Sequence, residues 1–257
     1  MLDLLSVPQQ RRESIERLAR ELSAGRSVAL STHINADGDG CGSETALSRL
    51  LGQMGLRSQI VNPTPWPEMY KFLLGHDVRD ASDLGAKALA ESDVLIVLDI
   101  SDVKRLGVLA EAVRKLKIPK LVIDHHLPSD EPPSTLLVAD TTACATGELI
   151  YDFATCMGLK ITPDIARSLY VALLTDTGGF RFSNTTARCL SVAGQLIASG
   201  VEPEEMYGRL YASMPLGRLH LLRDALATLE VDPEYGISWI SVAAGAAAKA
   251  FFVLTQR

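Results

Sequence analysis

Cysteine, basic charge and long uninterrupted apolar runs are all scarce in this chain of 257 residues. Its four cysteines, Cys41, Cys144, Cys156 and Cys189, include no CxxC pair. That spacing excludes a zinc ribbon and a redox dithiol, and leaves the reduced thiols of a cytoplasmic protein as the expectation. Lys and Arg number 25 against 31 Asp and Glu, a formal net charge of -6. Such a balance argues against a protein whose whole surface grips duplex DNA, although carboxylates that bind metal inflate the negative count. The most apolar stretch, residues 237–254, is interrupted by Ser238, Ser241, Gly245 and Lys249, and its alanines are too weakly hydrophobic for a membrane span. Near the N-terminus, Arg11, Arg12, Glu13, Glu16 and Arg17 alternate with Ile15, Leu18 and Leu22. This is the pattern of an amphipathic surface helix rather than a secretory signal.

What the chain does have is apolar content, 47% of its residues, ample for a substantial core. Short apolar runs at residues 28–32, 59–61, 94–98, 121–123 and 136–138 alternate with helical patterns. Continuous apolar strands separated by amphipathic helices predict an α/β fold, with a mostly parallel sheet covered by helices on both faces. A helix is expected from residue 42 to 54, after a glycine-rich turn, and another carries Leu106, Leu109, Val113 and Leu116. Beyond residue 140 the pattern turns helical, with helices expected over 143–157, 163–174, 185–199, 202–211 and 215–227. Residues 229–242 then read as a hairpin turning at Pro233, Glu234, Tyr235 and Gly236. The expected division is a catalytic domain over 1–186, a helical linker over 187–216, and a partial, smaller α+β domain over 217–257.

Four acidic or histidine-bearing segments follow expected strand or helix ends. They hold His33, Asp37 and Asp39; Asp99 and Asp102; Asp124, His125 and His126; and Asp176 between Thr175 and Thr177. In open parallel sheets, ligands bind beyond the carboxyl ends of the strands, so these sequence-distant groups are expected to converge on one rim. Gathering carboxylates and imidazoles this way is costly without cations, and points to metal-dependent phosphoryl hydrolysis. Gly38 and Gly40 predict a tight loop that turns both carboxylates and His33 inward. Asp102 reads as a helix cap, and His76 and His220 as ordinary residues.

These segments, with Gly42 and Ser43 after the first and Gly178, Gly179 and Phe180 after the last, resemble the four ordered motifs of the DHH phosphoesterase superfamily. The run from Thr175 to Thr185 is most similar to the oligoribonuclease branch. That resemblance implies hydrolysis of short RNA oligomers and of 3′-phosphoadenosine 5′-phosphate. It also implies two Mn²⁺ ions, one held by His33, Asp37 and Asp99, the other by Asp39, Asp99, His125 and Asp176, with Asp99 bridging as a catalytic residue. Carboxylate and imidazole donors without thiolate suit Mn²⁺, with Mg²⁺ or Co²⁺ as substitutes. His126 would contact the scissile phosphate or assist the leaving oxygen, or else support a ligand; Asp124 would orient a ligand imidazole. Arg105 and Arg181 could each grip phosphate or be solvated surface charges. Ser43 could bind an anion at a helix start or simply cap that helix.

Members of that branch add a C-terminal substrate domain with a Gly-Gly-Gly-His segment, which does not occur in this sequence. The missing segment keeps other readings open: hydrolysis of cyclic dinucleotides or pyrophosphate, or nucleotide binding with little turnover. Trp239, Phe251, Phe252 and Val253 could pack in a homodimer or close a small local core.

Overall fold

Five strands form the sheet, four of them on apolar runs and the second mostly polar: β1 (Ser27–Ser31), β2 (Arg57–Ile60), β3 (Val94–Leu98), β4 (Lys120–Asp124) and β5 (Leu137–Ala139). They belong to a computed structural model that describes residues 3–23, 25–212 and 216–246. All five are parallel and lie in the order β2-β1-β3-β4-β5. The order reverses between β1 and β3, and at such a point the loops leaving two adjacent strands diverge and open a crevice. β3 is buried along its whole length, as a central strand covered on both faces must be. Its Leu95 and Val97 pack with Leu106, Leu109 and Val113 on one side. Residues two apart share a face, so Ile96 points the other way.

The helices before and within this sheet are α1 (Gln9–Ala19), α2 (Gly38–Gln53), α3 (Ala86–Ala90) and α4 (Ala110–Lys115). Those after it are α5 (Thr146–Cys156), α6 (Pro163–Asp176), α7 (Ala187–Ala198) and α8 (Pro203–Tyr207). The first motif departs from the expected loop, because α2 begins at Gly38, four residues before the expected start. Asp37 caps it, its Oδ1 accepting the N–H of Asp39 and of Gly40, each at 3.0 Å. The glycines serve close helix packing. A Cβ on Gly38 would lie 2.4 Å from Thr175 Oγ1, and one on Gly42 2.4 Å from the Ser168 carbonyl, both on α6. The helix expected before β4 is also broken: a 3₁₀ stretch, Val103–Leu109, precedes α4 and is itself kinked at Gly107, which holds φ 50. A side chain there would collide with Ile34.

The chain divides into two compact units, Met1–Met206 and Tyr207–Arg257. Within the stretch 187–216 expected as a linker, α7 buries Cys189, Val192, Ala193 and Leu196 and belongs to the first unit. Within the second unit, α9 (Leu216–Leu226) precedes an antiparallel hairpin of β6 (Glu230–Asp232) and β7 (Ile237–Trp239). Trp239 is 44% exposed, while Phe251, Phe252 and Val253 lie outside the described residues.

Arg11 corrects the surface reading of the first helix. It is buried, and its guanidinium reaches Asp140 at 2.7 Å, Glu148 at 2.8 Å and Asp152 at 2.5 Å. Arg188 pairs with the same Glu148 and Asp152 and donates to the carbonyls of Leu4 and Ser6. Burial opposes the charge on Arg11, but its three carboxylates win and raise its pKa. One knot of ions thereby ties together α1, α5, α7 and the segment after β5. Arg11→Met removes one partner and strands two buried carboxylates, so chemical denaturation should show a loss of about 3–5 kcal/mol. A loss within experimental error would mean that Arg188 alone satisfies them.

Candidate metal centre

β1 ends at Ser31, and the chain passes through Thr32 to His33 and turns at Asn35, which sits at φ 54. His33 Nδ1 lies 2.8 Å from the Ile34 carbonyl oxygen. A carbonyl only accepts, so this nitrogen carries a hydrogen and Nε2 is left to meet a cation, whether a proton or a metal ion. That Nε2 is buried without a hydrogen-bond partner, yet faces Asp99 Oδ2 at 3.5 Å and Asp37 Oδ2 at 3.8 Å. Asp37 thus divides its labour, Oδ1 capping α2 while Oδ2 turns toward His33.

His125 follows β4 and repeats the arrangement. Its Nδ1 lies 3.4 Å from the Ala143 carbonyl. Its buried, unpartnered Nε2 faces Asp99 Oδ1 at 3.6 Å, Asp176 Oδ2 at 3.6 Å and Asp39 Oδ2 at 3.7 Å. These separations are too long for hydrogen bonds. Donors that share one divalent ion, with bonds near 2.1 Å, sit about 3–3.5 Å apart. Ligand atoms fall into three overlapping groups, each within 4.8 Å: His33, Asp37 and Asp99; Asp39, His125 and Asp176; and Asp99, His125 and His126. Asp99 joins two of them through different oxygens. It directly follows β3 and holds φ 63, a left-handed conformation that costs a non-glycine residue about 1 kcal/mol or more.

Asp39 is the most enclosed acid, with 1% of its surface exposed. Its Oδ2 accepts the Thr146 N–H at 2.6 Å, and its Oδ1 accepts the Gly147 N–H at 2.9 Å and the Ser43 hydroxyl at 3.1 Å. The first two donors are the opening residues of α5, whose N-terminus carries partial positive charge. Burial, with the charges of Asp99, Asp176 and Asp37, still pushes the Asp39 carboxyl well above the usual range. Burial and the same neighbouring acids raise Asp176 as well, and the Asn184 amide donates to it at 3.2 Å. His33 answers in the other direction. Burial disfavours its charge, but Asp37 and Asp99 outweigh burial and push it up to about 10. A proton there is the cation available to the cluster; a divalent ion would replace it and reverse the shifts of the acids. Two orphaned imidazole lone pairs facing carboxylate oxygens are what a cation site requires, and the donor set fits a hard or borderline divalent ion.

The remaining residues divide by position. Asp124 Oδ1 lies 2.7 Å from His126 Nδ1, so the imidazole it orients is His126 rather than His125. That hydrogen bond raises the His126 pKa, and the charge of nearby Arg105 opposes the rise. Arg105 itself is exposed. Arg181 is exposed too and bonds the Gly178 carbonyl at 2.6 Å, within its own turn. Ser43 is fully buried inside α2 and spends its hydroxyl on Asp39, so it faces no open space and starts no helix. Asp102 caps the following 3₁₀ stretch through the Lys104 N–H. Thr146 and Gly147 had no signature in the sequence, and Asn184 lay within the run from Thr175 to Thr185 without a role of its own. The first two act on Asp39 through backbone N–H groups, which every residue type except proline carries. A cleft of about 520 Å³ beside Arg49, Asp77 and Thr162 is lined by none of the clustered side chains, so volume alone does not find this centre.

A family model described as "DHH family, N-terminal domain" matches residues 27–173. The chain is 31% identical over 204 residues to the bifunctional oligoribonuclease and PAP phosphatase NrnA of Thermus thermophilus, covering 79% of this chain and 59% of that protein. Its identity to the protein of the same name from Bacillus subtilis is 31% over 199 residues, 76% of this chain and 60% of that one. The chain therefore spans about three fifths of the length of these curated relatives. Its fold is similar to that of an exopolyphosphatase-related protein from Bacteroides fragilis, with a TM-score of 0.85 at 22% identity over 98% of this chain and 74% of that one. With more than half of its length matched by that model and its acids and imidazoles gathered at the switch point of the sheet, the chain belongs to the DHH family.

Proposed function

We propose that this chain is a divalent-metal-dependent phosphoesterase that hydrolyses short oligoribonucleotides and 3′-phosphoadenosine 5′-phosphate. The observation that carries the reading is the pair of buried, unpartnered Nε2 atoms of His33 and His125, set on either side of Asp99. The substrates come from the names of the relatives, bifunctional oligoribonucleases and PAP phosphatases. In this reading His33, Asp37 and Asp99 hold one ion and Asp39, Asp99, His125 and Asp176 the other. Mn²⁺ suits these oxygen and imidazole donors, with Mg²⁺ or Co²⁺ as substitutes. When bound, two such ions supply positive charge to the phosphate and acidify a water molecule.

The chain's own groups do the rest. The α5 N-terminus holds Asp39 in place before any ion arrives, so little reorganisation accompanies loading. Asp124 fixes His126 through Nδ1, which turns Nε2 outward, and the raised pKa favours the imidazolium. As the bond from the water oxygen to phosphorus forms, the bond to the leaving oxygen breaks, and His126 Nε2 gives that oxygen its proton. Arg105, whose charge reaches His126, would add positive charge to a phosphate beside that histidine.

Asp99→Asn should retain the fold by circular dichroism yet lose Mn²⁺-dependent turnover of 3′-phosphoadenosine 5′-phosphate by about 10³-fold or more. Calorimetric titration should show two Mn²⁺ per wild-type chain and fewer in the variant. Wild-type rates in Asp99→Asn would sink the site assignment. His126→Ala should bind Mn²⁺ with unchanged stoichiometry while kcat falls about 10²- to 10⁴-fold. A substrate panel of 3′-phosphoadenosine 5′-phosphate, RNA of two to five nucleotides, cyclic di-AMP and pyrophosphate tests the substrate class. Turnover confined to either of the last two would overturn it.

A further inference from the structure

His126 belongs to the ligand cluster and also lines a cleft of about 410 Å³ that opens away from it. The far walls are Pro8 and Gln10 before and within α1, Leu127 and Pro128 after the histidine pair, and Val138 and Thr141 around β5. Three properties define what fits there. The volume lies within the range of small-ligand pockets, roughly 300–1,000 Å³. The walls combine apolar faces from Pro8, Leu127, Pro128 and Val138 with hydrogen-bonding groups from Gln10 and Thr141. Away from His126 the lining offers no free cation to a phosphate, because its one guanidinium, that of Arg11, is committed to Asp140, Glu148 and Asp152. An uncharged, planar, hydrogen-bonding group of nucleoside size meets all three conditions. Leu127 is 78% exposed, so its side chain is open to contact with a bound apolar group.

We infer that this cleft seats the nucleoside of the leaving group, with its sugar oxygen at His126 and its base between Leu127, Pro128 and the start of α1. The inference rests on the phosphoesterase reading and deepens it, since a departing nucleotide, of which the nucleoside is the uncharged part, is what an oligoribonucleotide and 3′-phosphoadenosine 5′-phosphate have in common. It also gives a role to the ion knot of Arg11, Asp140, Glu148, Asp152 and Arg188. That knot fixes α1 and the segment after β5, the two opposite walls, at a set separation.

Two measurements on the full chain test it. In methyl NMR, millimolar adenosine should shift the Leu127 and Val138 methyl resonances of the wild type, and this response should vanish in Gln10→Trp/Thr141→Trp, whose indoles fill the cleft from two exposed positions. Kinetically, the double variant should raise KM for the dinucleotide pApA about tenfold. It should leave kcat/KM within twofold for the p-nitrophenyl ester of adenosine 5′-phosphate, whose leaving group is a single ring. Adenosine that shifts neither methyl overturns the assignment, and so does an equal loss, or no loss, on both substrates. Should the wild type turn over neither ester, the phosphoesterase reading fails, while the methyl shifts still decide whether a nucleoside binds beside His126.

Discussion

Like charges and lone pairs crowd the carboxyl edge of this sheet, and the surrounding structure is arranged to tolerate them. Asp37, Asp39, Asp99 and Asp176 bring four carboxylates around two imidazole nitrogens that have no hydrogen-bond partners of their own. Unscreened, such an arrangement loses several kcal/mol to desolvation and repulsion. The fold offsets this with dipoles: two opening N–H groups of α5 on Asp39, two N–H groups of α2 on Asp37, and the Asn184 amide on Asp176. What these leave over appears as the raised acid pKa values and the strongly basic His33. The residual demand is for positive charge, and its location is set by Asp99, whose two oxygens face His33 and His125 respectively.

Holding the acids there requires helices closer than side chains normally allow. Gly38 and Gly42 bring α2 against α6, and a Cβ on Gly147 would lie 2.5 Å from the Ala172 methyl of α6. Because α2 delivers Asp39, α5 delivers the N–H groups that receive it and α6 ends in Asp176, this glycine-mediated approach sets the width of the site. The left-handed Asp99 is the other device. An ordinary extended residue at that point would continue β3 and carry its side chain away from the crevice, so backbone strain is accepted where the geometry needs a carboxylate.

Strands β1, β3 and β4 were legible in the sequence because a buried parallel strand is a continuous apolar run, a signal that composition carries directly. The side chains that cluster were legible too, since acids and histidines at strand ends are unusual enough to be noticed. Three features were not. Gly38 and Gly40 read as loop residues because glycine marks both turns and close packing, and only the positions of Thr175 on α6 and of Thr32 after β1 separate the two meanings. Arg11 read as a surface charge because its carboxylate partners lie 129 to 141 residues away. Thr146 and Gly147 act on Asp39 through the backbone, where side-chain identity leaves no trace.

The two halves of the proposed centre are not equivalent, and burial decides how. The Asp37 side chain is 54% exposed, whereas Asp39 and Asp176 are exposed by 1% and 26%. An ion beside His33 and Asp37 would therefore keep more contact with solvent, and one beside Asp39 and His125 would give up more of its hydration. The deeper position makes up that loss with three carboxylates to the other's two, because Asp99 serves both. In the proposed centre a shared acid would also couple the positions: charge drawn toward one ion would be unavailable to the other, so loading of the deep position would weaken the shallow one. The exposed half, bordered by water and by Asp37, is accordingly where exchange with solvent is easiest, while the enclosed half, clamped by the α5 N-terminus, gives the centre its fixed geometry.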